Sequence, residues 1–317
     1  MMITRRKFLR QSAMGAGAML LYPAAGTGIT QKKKIDISLA EWSLHRTIRA
    51  GKLDHLEFAA KSKSMGINAV EYVNGLFGNK SLDFKAAATN NDYLTQMLRR
   101  SKDAGVVNHL LMVDEEGHLA GTAETARLKA VDNHKKWIDA AKFLECKTVR
   151  VNLHGEGETN AKKLAAIDSL ALLGEFAAPL GINIVVENHG GDSSKGFWVA
   201  DVMKAVGKPN VGTLPDFGNF CITHPWGTTQ EACNDEYDRY KGVEEMLPFA
   251  KGVSAKSYDF DKNGNQPKID YSRLMNIVIK SGFSGYIGIE FEGTSQAEED
   301  GIKNTKKLLE KYLVHSS

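Results

Sequence analysis

The chain has 317 residues, 42% hydrophobic and 25% charged, a length and balance that suit one large core in a single α/β domain. Its formal net charge of +3 becomes −1 once residues 1–30 are set aside, because they hold Arg5, Arg6, Lys7 and Arg10 and no acid. Basic and acidic residues are then interspersed without a cationic stripe, which excludes a nucleic-acid-binding face.

The N-terminus reads as an address. Thr4-Arg5-Arg6-Lys7-Phe8-Leu9-Arg10 sets a twin-arginine pair ahead of a mild apolar run, Ala13 to Tyr22, with small residues after it at Pro23-Ala24-Ala25-Gly26. The run is too short to span a bilayer, and no Cys follows it to carry a lipid, so no stable membrane anchor is expected. This order predicts a twin-arginine export signal and short linker over residues 1–30. The export machinery is then a partner, and the periplasm is the destination.

From residue 31 to 317, short β-branched or apolar runs alternate with longer amphipathic stretches, the pattern of repeated βα units. Strands are predicted at Ile35–Ala40, Ala69–Val73, Val106–Val113, Thr148–Leu153, Asn183–Glu187, Val211–Leu214, Gly252–Lys256 and Tyr286–Glu290. Gly66, Gly105, Gly181 and Gly282 each stand between a helix and the next strand, where a left-handed cap is needed. Eight such units, with no Gly-rich phosphate turn after the first strand, predict a single-domain (β/α)8 TIM barrel rather than an open doubly wound sheet. The long irregular segments Asn74 to Asn91 and Gly218 to Asp235 are expected to wall a pocket at the barrel mouth. Three cysteines are too few for a disulfide scaffold. Cys221 and Cys233 can pair across one loop in an oxidising compartment, with Cys146 a buried thiol; separate thiols are the alternative.

Polar residues collect at the carboxyl ends of the predicted strands, where this architecture builds active sites. Strand four ends Arg150-Val151-Asn152-Leu153-His154, strand five Glu187-Asn188-His189, strand six Leu214-Pro215-Asp216, strand seven Ser254-Ala255-Lys256 and strand eight Glu290-Phe291-Glu292. Alternation turns Glu187 and Glu290 inward, so that with Asp216 three carboxylates converge and require a cation among them. That cation is a divalent metal with oxygen ligands, of the Mg or Mn type, or the ammonium of Lys256. A purely structural ion-pair network with Lys256 and Arg150 is the competing reading.

From Ile35 onward the chain resembles the xylose isomerase-like TIM barrels, the superfamily of sugar phosphate isomerases and epimerases. Val186-Glu187-Asn188-His189, Leu214-Pro215-Asp216-Phe217-Gly218-Asn219, Ser254-Ala255-Lys256-Ser257-Tyr258-Asp259 and Gly285-Tyr286-Ile287-Gly288-Ile289-Glu290 carry the resemblance. It implies that Glu187, Asp216 and Glu290 hold a divalent metal and that the two glutamates exchange substrate protons. In the metal-dependent epimerases a strand-seven His completes the ligand set; Ser254 stands in its place, and Asn219 where a His often follows the strand-six Asp. The resemblance extends to relatives that eliminate or rearrange 3-keto-glycosides.

These readings predict a sugar isomerase or epimerase that removes a proton next to a carbonyl of an unphosphorylated carbohydrate. Glu187 or Glu290 is the base, a metal or Lys256 steadies the enediolate oxygen, and His154 or His189 relays a proton. Trp42, His45, Glu71, Asn152, Asn188 and Asn219 are candidates for contacts to sugar faces and hydroxyls. Gly293-Thr294-Ser295 is a weak phosphate-binding candidate. A 3-keto-glycoside lyase using the same site and a non-catalytic sugar-binding barrel are the alternatives, and homo-oligomerisation stays open.

Overall fold

The computed structural model describes residues 34–314, so the expected export signal lies outside the described residues. Eight parallel strands are found: β1 (Ile35–Ala40), β2 (Ala69–Val73), β3 (Val107–Met112), β4 (Thr148–Val151), β5 (Asn183–Glu187), β6 (Val211–Leu214), β7 (Val253–Ser257) and β8 (Gly285–Phe291). Between and after them run α1 (His45–Arg49), α2 (Phe58–Ser64), α3 (Phe84–Ala87), α4 (Asn91–Asp103), α5 (Glu124–Phe143), α6 (Thr159–Ala177), α7 (Gly196–Val206), α8 (Arg239–Met246), α9 (Tyr271–Lys280) and α10 (Glu298–Val314). The predicted strands are all present, with ends shifted by at most two residues. Gly66, Gly105, Gly181 and Gly282 all adopt the left-handed conformation, with φ between 63° and 73°.

The ladder order is β6-β5-β4-β3-β2-β1-β8-β7. Closure between β6 and β7 comes from two bridges, Thr213 with Ala250 and Asp216 with Ser254. Pro215 lacks an N–H and breaks the regular ladder there, but its carbonyl still accepts from the Ser254 amide at 2.9 Å, and the Phe217 amide donates to the Ser254 carbonyl at 3.1 Å. The result is a single-domain TIM barrel.

Strand periodicity divides the core in two. Leu39, Val70, Tyr72, Leu111, Val149, Ile184, Val186, Val253, Ala255, Ile287 and Ile289 join the large apolar layer beneath the helices. A small second cluster, Ala40, Val73, Leu76, Leu110, Met112, Val185 and Leu214, fills the barrel interior. The alternation therefore turns Arg150, Glu187, Ser254, Lys256 and Glu290 inward as well, and that polar set is the floor of the site described next. The helices follow the 3.6-residue period: α5 buries Ala130, His134, Trp137, Ile138 and Ala141 along one stripe. Trp137 is fully buried, yet its indole N–H is satisfied by the Glu116 carboxylate at 2.8 Å. Truncating it to Ala would cost about 3–5 kcal/mol.

Candidate active site

At the carboxyl ends of the strands lies a cavity of about 550 Å3. Its walls come mainly from the loops after β1 (Trp42, His45, Arg46, Arg49) and β6 (Asn219, Pro225, Trp226, Thr228, Gln230). The long segment 218–235 thus walls the cavity as expected. Of segment 74–91, only Asn74 and Gly75 line it; Leu76 packs into the barrel interior, and α3 covers four of the remaining residues.

The three acids meet. Ligand oxygens of Glu187, Asp216 and Glu290 all lie within 4.8 Å of one another, and the residues are 5% exposed or less. Glu290 lines the cavity, with Glu187 and Asp216 behind it. Arg150 Nε approaches Glu187 at 2.9 Å, and Asn219 Nδ2 donates to its other oxygen at 3.2 Å. Asp216 accepts the Gly218 and Asn219 amides at 2.8 Å each and the Ser254 hydroxyl at 2.6 Å. The same hydroxyl lies 2.8 Å from Glu290. It carries one proton and so satisfies one of these two carboxylates at a time. Lys256 Nζ sits 3.3 Å from Glu290 and 3.1 Å from Glu292.

Burial pushes the Glu187 carboxyl well above its usual range, against the pull of Arg150, and pushes Asp216 up to about 7 against the pull of Lys256. For Lys256 burial acts downward, but Glu290 and Glu292 outweigh it, so the ammonium is held well above its ordinary value and stays charged. Lys256 is thus the cation that faces Glu290 and Glu292 at the floor of the site.

A divalent cation fits this floor. Five acids, Asp114, Glu187, Asp216, Glu290 and Glu292, face two cations, Arg150 and Lys256, and the three converging acids offer hard oxygen donors of the kind Mg or Mn prefers. Cys221, His224 and Cys233 also cluster within 4.8 Å. There, however, the two sulfurs are bonded to each other, with Cα atoms 5.9 Å apart, leaving no thiolate to act as a ligand. The remaining cysteine, Cys146, is a buried free thiol.

Above the acids a polar chain fixes one imidazole. Asp114 accepts from Arg150 at 2.5 Å and from Asn152 Nδ2 at 2.6 Å. Since the amide nitrogen of Asn152 faces a carboxylate, its oxygen faces His189 Nδ1, 2.8 Å away. That ring nitrogen must donate, which leaves Nε2 of His189 as a bare acceptor. Burial, followed by Arg150 and Lys256, lowers the His189 pKa well below its ordinary value, so the ring is neutral. His154 is neutral for the same reason, lowered to about 4 by burial, and its Nε2 has no hydrogen-bond partner among the described residues. It does not line the cavity; its ring stands edge-on to Trp226 at 5.0 Å.

Trp42 and His45 stack at 4.4 Å and both line the cavity. Asn219 lines it as well. Asn188 does not: it is fully buried, accepting the Asp216 amide at 2.7 Å and donating to the Asp216 and Asn219 carbonyls, so it holds the turn after β6 in place. Glu71 lies below the floor with a hydrogen bond from Ser38, away from the cavity walls. Asp114, Glu115 and Arg49 are cavity residues that sequence reasoning passed over, and Glu292, noted there only as a polar strand end, lines the cavity as well. An available signal was the pair Asp114-Glu115 just beyond β3, at the same end as every other candidate. The amides of Thr294 and Ser295 and the Ser295 hydroxyl all bind the Asp259 carboxylate, so the weak phosphate-binding segment already has its anion.

A parallel barrel with a buried acidic centre at its carboxyl end defines an enzyme-type barrel architecture. Residues 59–312 match the model of the xylose isomerase-like TIM barrel, and the chain belongs to that family. Among solved structures it is similar to the 3-keto-D-glucoside 4-epimerase of E. coli, with a TM-score of 0.63 and 14% identity over 88% of this chain and 100% of that one. It is also similar to a xylose isomerase-like TIM barrel protein from Mycobacterium smegmatis in complex with magnesium, with a TM-score of 0.60 and 15% identity over 82% of this chain and 88% of that one. Among curated proteins, 66 residues are 39% identical to the C-glycoside deglycosidase alpha subunit of Arthrobacter globiformis, covering 20% of this chain and 19% of that protein. The match thus spans about a fifth of that relative.

Proposed function

We propose that the protein is a divalent-metal-assisted isomerase or epimerase that acts on an unphosphorylated carbohydrate by removing a proton from carbon next to a carbonyl. The observation that carries this reading is the convergence of Glu187, Asp216 and Glu290 behind an open cavity, with acids in excess over the cations beside them. Bound there by these three residues, a Mg- or Mn-type ion supplies Lewis-acid stabilisation of the charge that grows on the carbonyl oxygen. Glu290, at the cavity wall, accepts the substrate proton. Lys256 remains charged beside it and holds the carboxylate in place. His189 offers its bare Nε2 to a sugar hydroxyl, and Asn152 keeps the ring in that tautomer. Trp42 packs against a sugar face. The filled anion position at Thr294–Ser295 favours a substrate without phosphate.

A second reading, β-elimination from a 3-keto-glycoside, starts with the same proton removal and differs only in whether a substituent leaves next. The segment shared with a deglycosidase subunit favours it. The site is proposed to work in the periplasm, reached through the export signal of residues 1–30.

Incubation of 3-keto-glucosides in heavy water tests the common step. Solvent deuterium should enter substrate or product, exchange should stop on chelation and resume with Mn, and Glu290→Gln should lower it at least a hundredfold while the protein stays folded. Sugar binding without exchange in the reloaded protein would leave a silent binding barrel. Full exchange in the Gln variant would remove the assigned base.

A further inference from the structure

We propose that Arg49 is a specificity-determining residue that binds a carboxylate on the part of the substrate that is not the reacting sugar. The proposal rests on the carbohydrate reading above and extends it to the substituent. Arg49 ends α1, the short helix that follows the strand-one loop, and its guanidinium carbon lies 4.8 Å from the centroid of the Trp42 ring, which is itself stacked on His45. All three residues line the cavity. Its neighbour Arg46 is committed: Nε faces Glu298 at 3.5 Å, and the same carboxylate takes the Arg46 and Thr47 amides. Arg49 forms no ion pair among the described residues. A guanidinium laid on an aromatic face keeps its N–H edge free, and that edge matches a carboxylate in bidentate fashion.

The charge layout of the cavity supports the same assignment. Acids outnumber cations at the floor, where an anionic group would be repelled even with one divalent ion bound. Arg49 is the uncommitted cation at the wall formed after β1, since Arg46 faces Glu298; Thr228, Gln230 and Thr294 contribute neutral groups, and Glu115, exposed in the loop after β3, is an acid on the lining. A substrate with a neutral sugar and an acidic substituent is therefore oriented with its sugar inward, away from the acidic floor's repulsion of anions, and its carboxylate at Arg49. Trp42 and Trp226, both lining the cavity, suit an aromatic substituent between the two ends. The ligand class is a glycoside whose aromatic aglycone bears a carboxylate.

The test compares phenyl and 4-carboxyphenyl glucosides, which differ only in that group. Titration calorimetry of the metal-loaded protein at low salt should show the carboxylated glucoside binding about tenfold tighter, as a charge-assisted pair implies. Arg49→Ala should bring the ratio close to one, Arg49→Lys should leave an intermediate preference, and added salt should shrink the wild-type ratio. A wild-type ratio near one, a preference that survives in the Ala variant, or no binding of either glucoside would overturn the proposal. The 3-keto forms of the same pair separate it from the reaction assigned above. A carboxylate preference without deuterium exchange keeps Arg49 and discards the proton abstraction; exchange without preference does the reverse.

Discussion

Glu71 shows how a single side chain takes its properties from what surrounds it. It sits on β2, faces the barrel interior and is 1% exposed, with a hydrogen bond from Ser38 to one oxygen and none to the other. A Cβ added at Gly288 would lie 2.5 Å from this carboxyl, so glycine is what gives it room. Burial raises its pKa to about 7, with Ser38 opposing. The folded protein therefore keeps a proton that the unfolded chain loses above its ordinary value of 4.5. Stability on account of this group is intact below that value and declines as pH rises through 7, by up to roughly 3 kcal/mol at about 1.4 kcal/mol per pH unit. Glu71→Gln removes the ionisation and keeps the shape. In chelator, urea unfolding should find the variant level with wild type at pH 4.5 and more stable at pH 8; equal stability at both would show that Glu71 does not titrate in this way.

At the scale of one element, the loop after β6 does most to shape the cavity. Trp226 adopts φ of 60°, a left-handed conformation that costs a bulky residue about 1–3 kcal/mol, and it projects its ring against His154 and His189. Two restraints hold it there: the disulfide between Cys221 and Cys233, 12 positions apart, and the close approach of Gly227 to Gly190. Closing a loop of this length contributes on the order of 3 kcal/mol. Replacing both cysteines with Ala should let the loop open locally. Proteolytic cleavage between residues 222 and 232 should quicken, and KM should rise by more than kcat falls. Unchanged cleavage and kinetics would mean that packing alone fixes Trp226. Of this element the sequence revealed the length and the possible cysteine pairing. It gave no sign of the Trp226 conformation, because nothing in a Pro-Trp-Gly run marks the central residue as left-handed.

For the whole molecule, compartment and fold belong together. The disulfide suits an oxidising compartment, and residues 1–30 carry the proposed twin-arginine signal. Changing Arg5 and Arg6 together to Lys should keep the protein in the cytoplasm, read by fractionation against the parent chain; export at parental levels would rule out that route. What the sequence determined by itself is the barrel and the end at which its chemistry sits. Two-residue alternation, glycines with left-handed φ and polar strand ends are local signals, acting over a few residues, and each can be read without knowing what lies across the molecule. Which charges neutralise which was decided only by the tertiary structure. Arg150 could have served Glu187 alone, yet it also holds Asp114 from the neighbouring strand end. Glu292 shares Lys256 with Glu290, and Asp259 fills the amides of a loop 36 positions away. Such pairings depend on closure and register, which bring together residues as distant as Ser43 and Ile289, and no short-range pattern along the chain encodes them.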